Sequence, residues 1–159
     1  MNVFAPDPDP VVSARVLADR HVVKMTLETA QVLCTAADWL ELDTAGLYRP
    51  THRKHPVVLG CVEDPGYCAW TIAHGRALAA EYTRRYDKVH KSQAMLERVE
   101  RVLLARDMSA PPQRFPLAMP DEYKHADPHA SYRVYLHHKY AAWGADARWT
   151  RAERPPWAW

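Results

Sequence analysis

The chain has 159 residues, about the length of one domain, and its composition of 48% apolar and 25% charged residues excludes a disordered chain. The formal net charge of +2 at pH 7 does not by itself indicate a binding partner. Three cysteines without a CxxC pair, the lack of a signal peptide and the lack of an apolar run of about 20 residues predict a cytoplasmic protein that does not span a membrane.

The first part of the sequence predicts an anchored terminus followed by a long helix. Residues 2–4, Asn-Val-Phe, are mostly apolar and predict a short strand or an anchored terminus. The alternating prolines and aspartates of residues 6–10 forbid a helix and offer Asp9 as an N-cap. Residues 11–42 contain neither Gly nor Pro, and apolar residues recur there at helical spacing. We therefore predict one long helix, or two helices with a bend.

The rest of the sequence predicts three further helices separated by loops. Residues 46–56 predict a loop, and residues 109–120 form a Pro-rich connection. Helices are expected at about 65–86, 92–107 and 128–143. An aromatic tail with Trp149, Trp157 and Trp159 is expected to pack on the core or to flank a ligand. Residues 1–159 are thus predicted to form a single compact all-α domain of about four helices, a monomer without a protein partner.

One polar stripe on the long helix is the first candidate site. At about 100° per residue, its five members fall within a sector of about 80°. They are His21, Lys24, Glu28, Gln31 and Thr35. As a solvated face, the stripe would contain an i,i+4 ion pair of Lys24 with Glu28. As a catalytic face, it would hold a carboxylate two turns from a histidine, which suits proton transfer and stabilisation of a developing cation. The spacing alone leaves both interpretations open.

Two basic clusters are candidates for binding DNA. The loop cluster consists of Arg49, Thr51, His52, Arg53, Lys54 and His55. The second cluster follows the predicted 65–86 helix and consists of Arg84, Arg85, Lys88, His90 and Lys91. Aromatic residues interleave with the second cluster, and cations beside aromatic rings suit nucleic acid, whereas a solvated charged surface is the alternative. Gln31 and Lys139 complete the predicted substrate-binding or DNA-binding set.

Several other chemistries lack a motif in this sequence. There is no P-loop, GxGxxG, GxSxG or HExxH pattern. His125 and His129 have i,i+4 spacing, but Pro128 lies between them and makes a shared helical face doubtful. We therefore predict neither a metal site nor a cofactor.

Five short segments recur in a fixed order along nearly the whole chain, at residues 17–28, 55–60, 119–123, 128–131 and 154–157. In this order they resemble the phage endonuclease V-type pyrimidine dimer DNA glycosylase family. Each segment is short, and their common order carries the resemblance. The chain looks closer still to a group of phage proteins without a known activity, which share the His-Val-Val-Lys-Met segment found here at residues 21–25.

The resemblance implies an all-α fold in which the N-terminal segment lies against the long helix. It also implies that a free α-amine attacks the sugar C1′, displaces the base and forms an imine while a helix-borne Glu supports the reaction. The family's Glu and His fall without a gap on Glu28 and His21. The candidate catalytic groups are therefore Glu28, His21, Lys24 and the amine of Met1 or Asn2.

The chain departs from the family pattern at the terminus and on the long helix. Family members begin, after removal of Met, on a small hydroxyl residue, whereas Asn2 would normally leave Met1 in place. Two family arginines are replaced by Leu27 and Gln31, so specificity for dimers is not transferred. We expect a DNA glycosylase for a damaged or modified base, with abasic-site lyase activity left open. The alternatives are an N-glycoside hydrolase acting on free nucleosides or nucleotides, and a non-catalytic nucleic-acid-binding protein.

Overall fold

Six α-helices account for most of the secondary structure in the computed structural model, which describes residues 1–158. They are α1 (Pro10–Arg15), α2 (Asp19–Trp39), α3 (Pro56–Glu63), α4 (Pro65–Tyr86), α5 (Gln93–Leu103) and α6 (Pro128–Trp143). Short 3₁₀ turns occur at Asp121–Tyr123, Gly144–Asp146 and Pro156–Ala158, and residues 1–158 contain no β-strand. The all-α class is confirmed, although the structure has six α-helices where about four were predicted. Of the predicted aromatic tail, Trp159 lies outside the described residues.

Four of the six helices begin in the same way. Proline occupies the start of α1, α3, α4 and α6, where its missing N–H costs no intrahelical hydrogen bond and its fixed φ suits a helix. The side chain before each proline accepts a hydrogen bond from a first-turn N–H. These capping residues are Asp9, His55, Asp64 and Asp127. The Pro65 and Pro128 signals explain why the starts of α4 and α6 were predicted correctly.

The predicted long helix is two helices, α1 and α2, separated at residues 16–18. Tertiary hydrogen bonds satisfy the backbone at this break. The buried Arg85 guanidinium donates to the carbonyl oxygens of Arg15 and Leu17, and the N–H of Ala18 donates to the Tyr140 hydroxyl. The bend therefore depends on residues far away in the sequence, which helical periodicity does not reveal.

The helix α3 was missed, and the predicted 92–107 helix is shorter than expected. Residues 56–63 are only two turns long and are nearly all apolar, so their periodicity is weak, although His55 and Pro56 form a cap and start signal. The helix α5 ends at Leu103, four residues earlier than expected.

The helix α2 lies at the centre, packed against α3, α4 and α5. The N-terminal segment is extended and buried without being a strand, which agrees with an anchored terminus. Phe4 is 3% exposed, and its ring contacts His21, Tyr132 and Tyr135. The terminus is thereby held between α2 and α6. No helix in the described part of the chain has the length and apolar character needed to cross a membrane.

Candidate active site

A pocket of about 270 Å³ lies where the N-terminal segment, α2 and α6 meet. The N-terminal segment contributes Met1, Asn2 and Phe4. The helices contribute the remaining lining residues, which are Arg20, His21, Lys24, Met25 and Glu28 of α2 and Tyr135, Lys139 and Trp143 of α6. The first three members of the predicted polar stripe, His21, Lys24 and Glu28, therefore face this pocket.

The Glu28 carboxylate is the focus of the pocket. The side chain is held on α2, and the residue is 8% exposed. Its Oε2 accepts a hydrogen bond of 2.9 Å from the backbone N–H of Asn2. Its Oε1 lies 3.8 Å from the terminal amine of Met1 and 3.4 Å from Lys24 Nζ. One carboxylate thus contacts the terminal amine, the first peptide N–H and a lysine.

The side chains of Met1 and Asn2 fix the terminus in this position. The Met1 side chain is 3% exposed and packs against the core. The Asn2 amide donates to the carbonyl oxygen of Ala118 at 2.8 Å, and its Oδ1 accepts from the N–H of Val3. The terminus is therefore anchored on both sides of the peptide group whose N–H donates a hydrogen bond to Glu28.

His21 is buried behind the pocket and is held by Tyr140. Its Nδ1 lies 2.9 Å from the Tyr140 hydroxyl, which also accepts the N–H of Ala18 at 3.1 Å. The buried hydroxyl needs an acceptor for its own proton, so we infer that it donates a hydrogen bond to Nδ1. The proton of the imidazole ring is then on Nε2. Burial, together with the nearby charges of Lys139, Lys24 and Arg20, lowers the pKa of His21 to about 3. His21 is therefore a neutral hydrogen-bonding group at physiological pH.

Cations and aromatic rings alternate around the pocket. The Arg20 guanidinium lies 4.6 Å from the centre of the Trp143 ring, and Lys139 Nζ lies 5.0 Å from the centre of the Tyr135 ring. Together with Lys24, these groups give the described lining three cationic side chains, beside the terminal amine, against the single carboxylate of Glu28. Such a lining attracts an anion and offers ring faces to a base.

Residues 1–94 match the family model described as pyrimidine dimer DNA glycosylase. The chain belongs to this family. The family match includes Glu28, His21, Lys24 and the terminus, whereas the α6 wall of the pocket lies beyond it. Neither the comparison with curated proteins nor the comparison with solved structures returned a match. The resemblance inferred from the sequence is thus confirmed at the level of a DNA glycosylase family.

The loop cluster is fastened to the C-terminal half of α2. Thr51 N–H donates to Thr35 Oγ1, Trp39 Nε1 donates to the carbonyl oxygen of Arg53, and Arg53 pairs with Asp38. All six members of the cluster are exposed or half-buried, as is Gln31, which lies outside the pocket lining. These residues are Arg49, Thr51, His52, Arg53, Lys54 and His55.

His55 is the member of the loop cluster whose surroundings connect it with the pocket. Burial lowers its pKa first, and the charges of the terminal amine and His52 lower it further, while the charge of Glu28 acts in the opposite direction. His55 therefore lies within electrostatic reach of the terminus and Glu28.

The second basic cluster is only partly available to DNA, and the inclusion of Arg85 was wrong. The Arg85 side chain is fully buried, and it donates to Glu81, Asp19 and the backbone of residues 15–17. His90 donates through Nε2 to the carbonyl oxygen of Val23 and accepts the N–H of Ser92, so it joins the loop after α4 to α2. Arg84 pairs with Glu81, and Lys88 and Lys91 are exposed.

Sequence reasoning missed most of the pocket wall outside the polar stripe. Arg20, Tyr135 and Trp143 were not predicted as site residues, although Tyr135, Lys139 and Trp143 recur every four residues along α6. Only the folded chain brings that stripe opposite Glu28. Two histidines of α6 hold other segments in place: His129 Nδ1–H donates to the carbonyl oxygen of Ala5, and His137 Nδ1–H donates to that of Trp157.

Proposed function

We propose that the chain is a DNA glycosylase that releases a damaged or modified base, with its terminal amine as the nucleophile and Glu28 as the assisting carboxylate. The observation that supports this most is the position of the terminus. Glu28 bonds the first peptide N–H at 2.9 Å and lies 3.8 Å from the terminal amine itself. A carboxylate at this place can accept a proton from the attacking amine and stabilise the positive charge that develops on the sugar.

The proposed reaction has two bond-forming steps. First, the neutral amine nitrogen bonds to the sugar C1′ as the bond from C1′ to the base breaks, and the base leaves with that electron pair. The attacking nitrogen passes one proton to Glu28, and the departing base takes up a proton. Opening of the C1′–O4′ bond then gives an imine between C1′ and nitrogen, with the remaining nitrogen proton transferred to O4′. Elimination of the 3′ phosphate from this imine would cleave the strand, and shortened strands in the trapping experiment would reveal this abasic-site lyase activity.

The other pocket residues have supporting roles in this proposal. His21, neutral with its proton on Nε2, donates a hydrogen bond rather than a proton. Arg20, Lys24 and Lys139 bind phosphates next to the reacting nucleotide. Tyr135 and Trp143 provide ring faces for a base taken out of the duplex stack.

The terminal amine is a better nucleophile candidate than Lys24. The Lys24 side chain is 66% exposed, whereas the Met1 side chain is buried and fixes its amine beside Glu28. As a class, α-amines are also weaker bases than lysine side chains, so a larger fraction is neutral at physiological pH. We therefore assign Lys24 to substrate binding.

The small volume of the pocket would also suit a free nucleoside as the substrate. A volume of about 270 Å³ is near the lower end of the range of ligand sites, which suits one nucleotide or a free nucleoside. The surplus of cations around Glu28 favours DNA over a free nucleoside, because flanking phosphates would use them. It also disfavours a purely structural Lys24–Glu28 pair.

Borohydride trapping on a panel of DNA duplexes tests the proposal. The panel contains cyclobutane pyrimidine dimers, abasic sites and 5-modified pyrimidines, and free nucleosides serve as the alternative substrate. We expect a covalent protein–DNA adduct with at least one damaged duplex. Glu28→Gln keeps an oxygen for the Asn2 N–H but removes the charge, and it should lower the adduct at least 100-fold.

Glu97→Gln is the matched control, because Glu97 is an exposed carboxylate of α5 outside the pocket. It should leave the adduct unchanged. Base release from free nucleosides without any DNA adduct would support the N-glycoside hydrolase instead. DNA binding without base release or adduct, unaffected by Glu28→Gln, would contradict an enzymatic role.

A further inference from the structure

A second, larger groove of about 860 Å³ lies between the C-terminal ends of α1 and α4 and the tail that follows α6. Arginines dominate its lining, namely Arg15, Arg84, Arg151 and Arg154. Among the described lining residues, Glu153 is the single acidic one. Of these arginines, only Arg84 belongs to a basic cluster visible in the sequence, so the groove is a product of the fold.

The groove arginines are held in place while remaining accessible. The guanidiniums of Arg84 and Arg151 each donate to the backbone carbonyl oxygen of the other residue. Glu81 accepts from Arg84 and Asp87 accepts from Arg151, each at 2.6 Å. The side chains of Arg15, Arg84 and Arg151 are nevertheless 62%, 45% and 56% exposed. Because a guanidinium has five N–H donors, these contacts orient the arginines and leave donors for an anion.

Arginines also occur on the surface between this groove and the catalytic pocket. Arg20 lines the pocket and also lines a shallow surface with Arg148, beside Asp19 and Asp146. The segment 148–151 is fixed along the start of α2, because Asp19 donates its N–H to the Arg148 carbonyl and its carboxylate accepts from Thr150. The same segment ends at Arg151, in the groove. Separate arginines, with carboxylates between them, therefore follow a path from the catalytic pocket past Arg20 and Arg148 to the groove.

A regularly charged polyanion fits such a path better than a single small anion. Duplex DNA presents phosphates along its whole length, and arginine binds phosphate oxygens through two parallel N–H bonds. Glu81, Asp87 and Glu153 offset part of the charge, which suits separate phosphate contacts along a strand better than one concentrated anion site.

We propose that the arginine groove binds the phosphodiester backbone of DNA on one side of the nucleotide in the catalytic pocket. This inference rests on the proposed glycosylase function, because it assumes DNA in that pocket. The groove supplies affinity and register, while chemistry takes place at Glu28. Arg15 and Arg84 lie inside the region that matches the family, whereas the tail residues of the groove lie outside it.

The salt dependence of DNA binding tests the groove. The double variant Arg15→Gln/Arg151→Gln removes two exposed charges from it. Since each phosphate contact contributes about 0.9 to the slope of log K against log salt concentration, we expect the slope to fall by about 2. DNA binding near physiological salt should weaken at least tenfold. The rate of adduct formation at saturating DNA should be unchanged, because no group in the catalytic pocket is altered.

Arg101→Gln/Arg114→Gln is the control, because it removes the same charge from exposed arginines that line neither the groove nor the catalytic pocket. This control should keep the wild-type slope within about 0.5. Duplexes truncated on one or the other side of the lesion add a second readout. Once the side that the groove contacts is removed, the groove variant and wild type should bind the duplex with the same affinity.

Two outcomes would overturn the groove assignment. If wild type binds and traps DNA but the groove variant keeps its slope, the groove serves another partner, such as an acidic protein, and the glycosylase proposal stands. If wild type neither binds nor traps any DNA of the panel, both proposals fail.

Discussion

Tyr140 fixes the tautomer of His21, the histidine of the catalytic pocket. Its hydroxyl lies between the Ala18 N–H and His21 Nδ1, and the residue is fully buried. A histidine with a pKa of about 3 is neutral throughout the physiological range, so proton transfer is left to Glu28 and the amine. The sequence identified His21 through the polar stripe and the family resemblance. It gave no sign of Tyr140, because 119 residues separate the two partners.

Tyr140→Phe should impair both stability and base release. The change leaves a buried N–H and an imidazole nitrogen without their partner, which should cost about 1–3 kcal/mol of the free energy of unfolding. Loss of the fixed tautomer should slow adduct formation about tenfold at saturating DNA, the effect of one hydrogen bond of about 1.4 kcal/mol. Chemical denaturation and single-turnover trapping measure the two effects.

Tyr132→Phe separates a catalytic effect from a structural one. Tyr132 is also buried on α6, and its hydroxyl donates to the carbonyl oxygen of Pro116 at 2.6 Å, outside the pocket lining. It should lose similar stability yet keep the wild-type trapping rate. Equal trapping rates for the two variants would contradict a role of Tyr140 in positioning His21.

At the scale of elements, local signals set the helix starts and tertiary contacts set the bend between α1 and α2. Asp64-Pro65 and Asp127-Pro128 carry their cap and start signals in the sequence, which is why α4 and α6 could be predicted. The break at residues 16–18 has no Gly or Pro to mark it. It forms because Arg85 bonds the free carbonyl oxygens there, and a charge cluster in the sequence does not reveal a buried arginine.

Arg85→Lys should strongly destabilise this junction. A lysine cannot reproduce the planar fork that reaches Asp19, Glu81 and the backbone together, and it leaves buried carboxylates without a full partner. We expect a loss of about 3–5 kcal/mol in the free energy of unfolding. Lys88→Ala, in the same predicted cluster but exposed, should change it by less than about 0.5 kcal/mol. Similar stabilities for the two variants would contradict the structural role of Arg85.

For the whole molecule, two buried histidines link stability to pH. Burial lowers the pKa of His74 to about 4 and that of His21 to about 3. In the unfolded chain a histidine has a pKa of about 6.5, so below that pH the unfolded state binds more protons than the folded state. Stability is therefore highest above about pH 6.5 and falls as the pH is lowered towards 4. The lowered pKa values of His55 and His90 act in the same direction.

Urea unfolding between pH 7.5 and 4.5 measures this dependence. Each of the two buried histidines should contribute up to about 1.4 kcal/mol of lost stability per pH unit below 6.5. His74→Gln removes one titrating group remote from the pocket and should lower the slope by about that amount. Its Nε2 has no hydrogen-bond partner among residues 1–158, so the change should not break a bond at that atom. Stability independent of pH between 7 and 5 would contradict this assignment.

The pocket as a whole could be predicted only in part. The stripe of α2 and the anchored terminus carried enough local pattern and family resemblance to be found in the sequence. Of the α6 wall only Lys139 was predicted, and of the arginine groove only Arg84, because both sites require the chain after residue 94 to return to the start of α2. Periodicity shows which residues share a helix face, but it does not show which face meets another.

The attachment site of DNA trapped by borohydride tests the terminal amine directly. Three forms of the chain are compared by peptide mass mapping: one starting at Met1, one starting at Asn2, and one with a glycine added before Met1. We expect the adduct on the N-terminal peptide at the first amine, with the highest yield when the terminus lies beside Glu28 and a sharp loss in the extended form. An adduct on Lys24 that is independent of the terminus, and lost in Lys24→Ala, would contradict the terminal amine as the nucleophile.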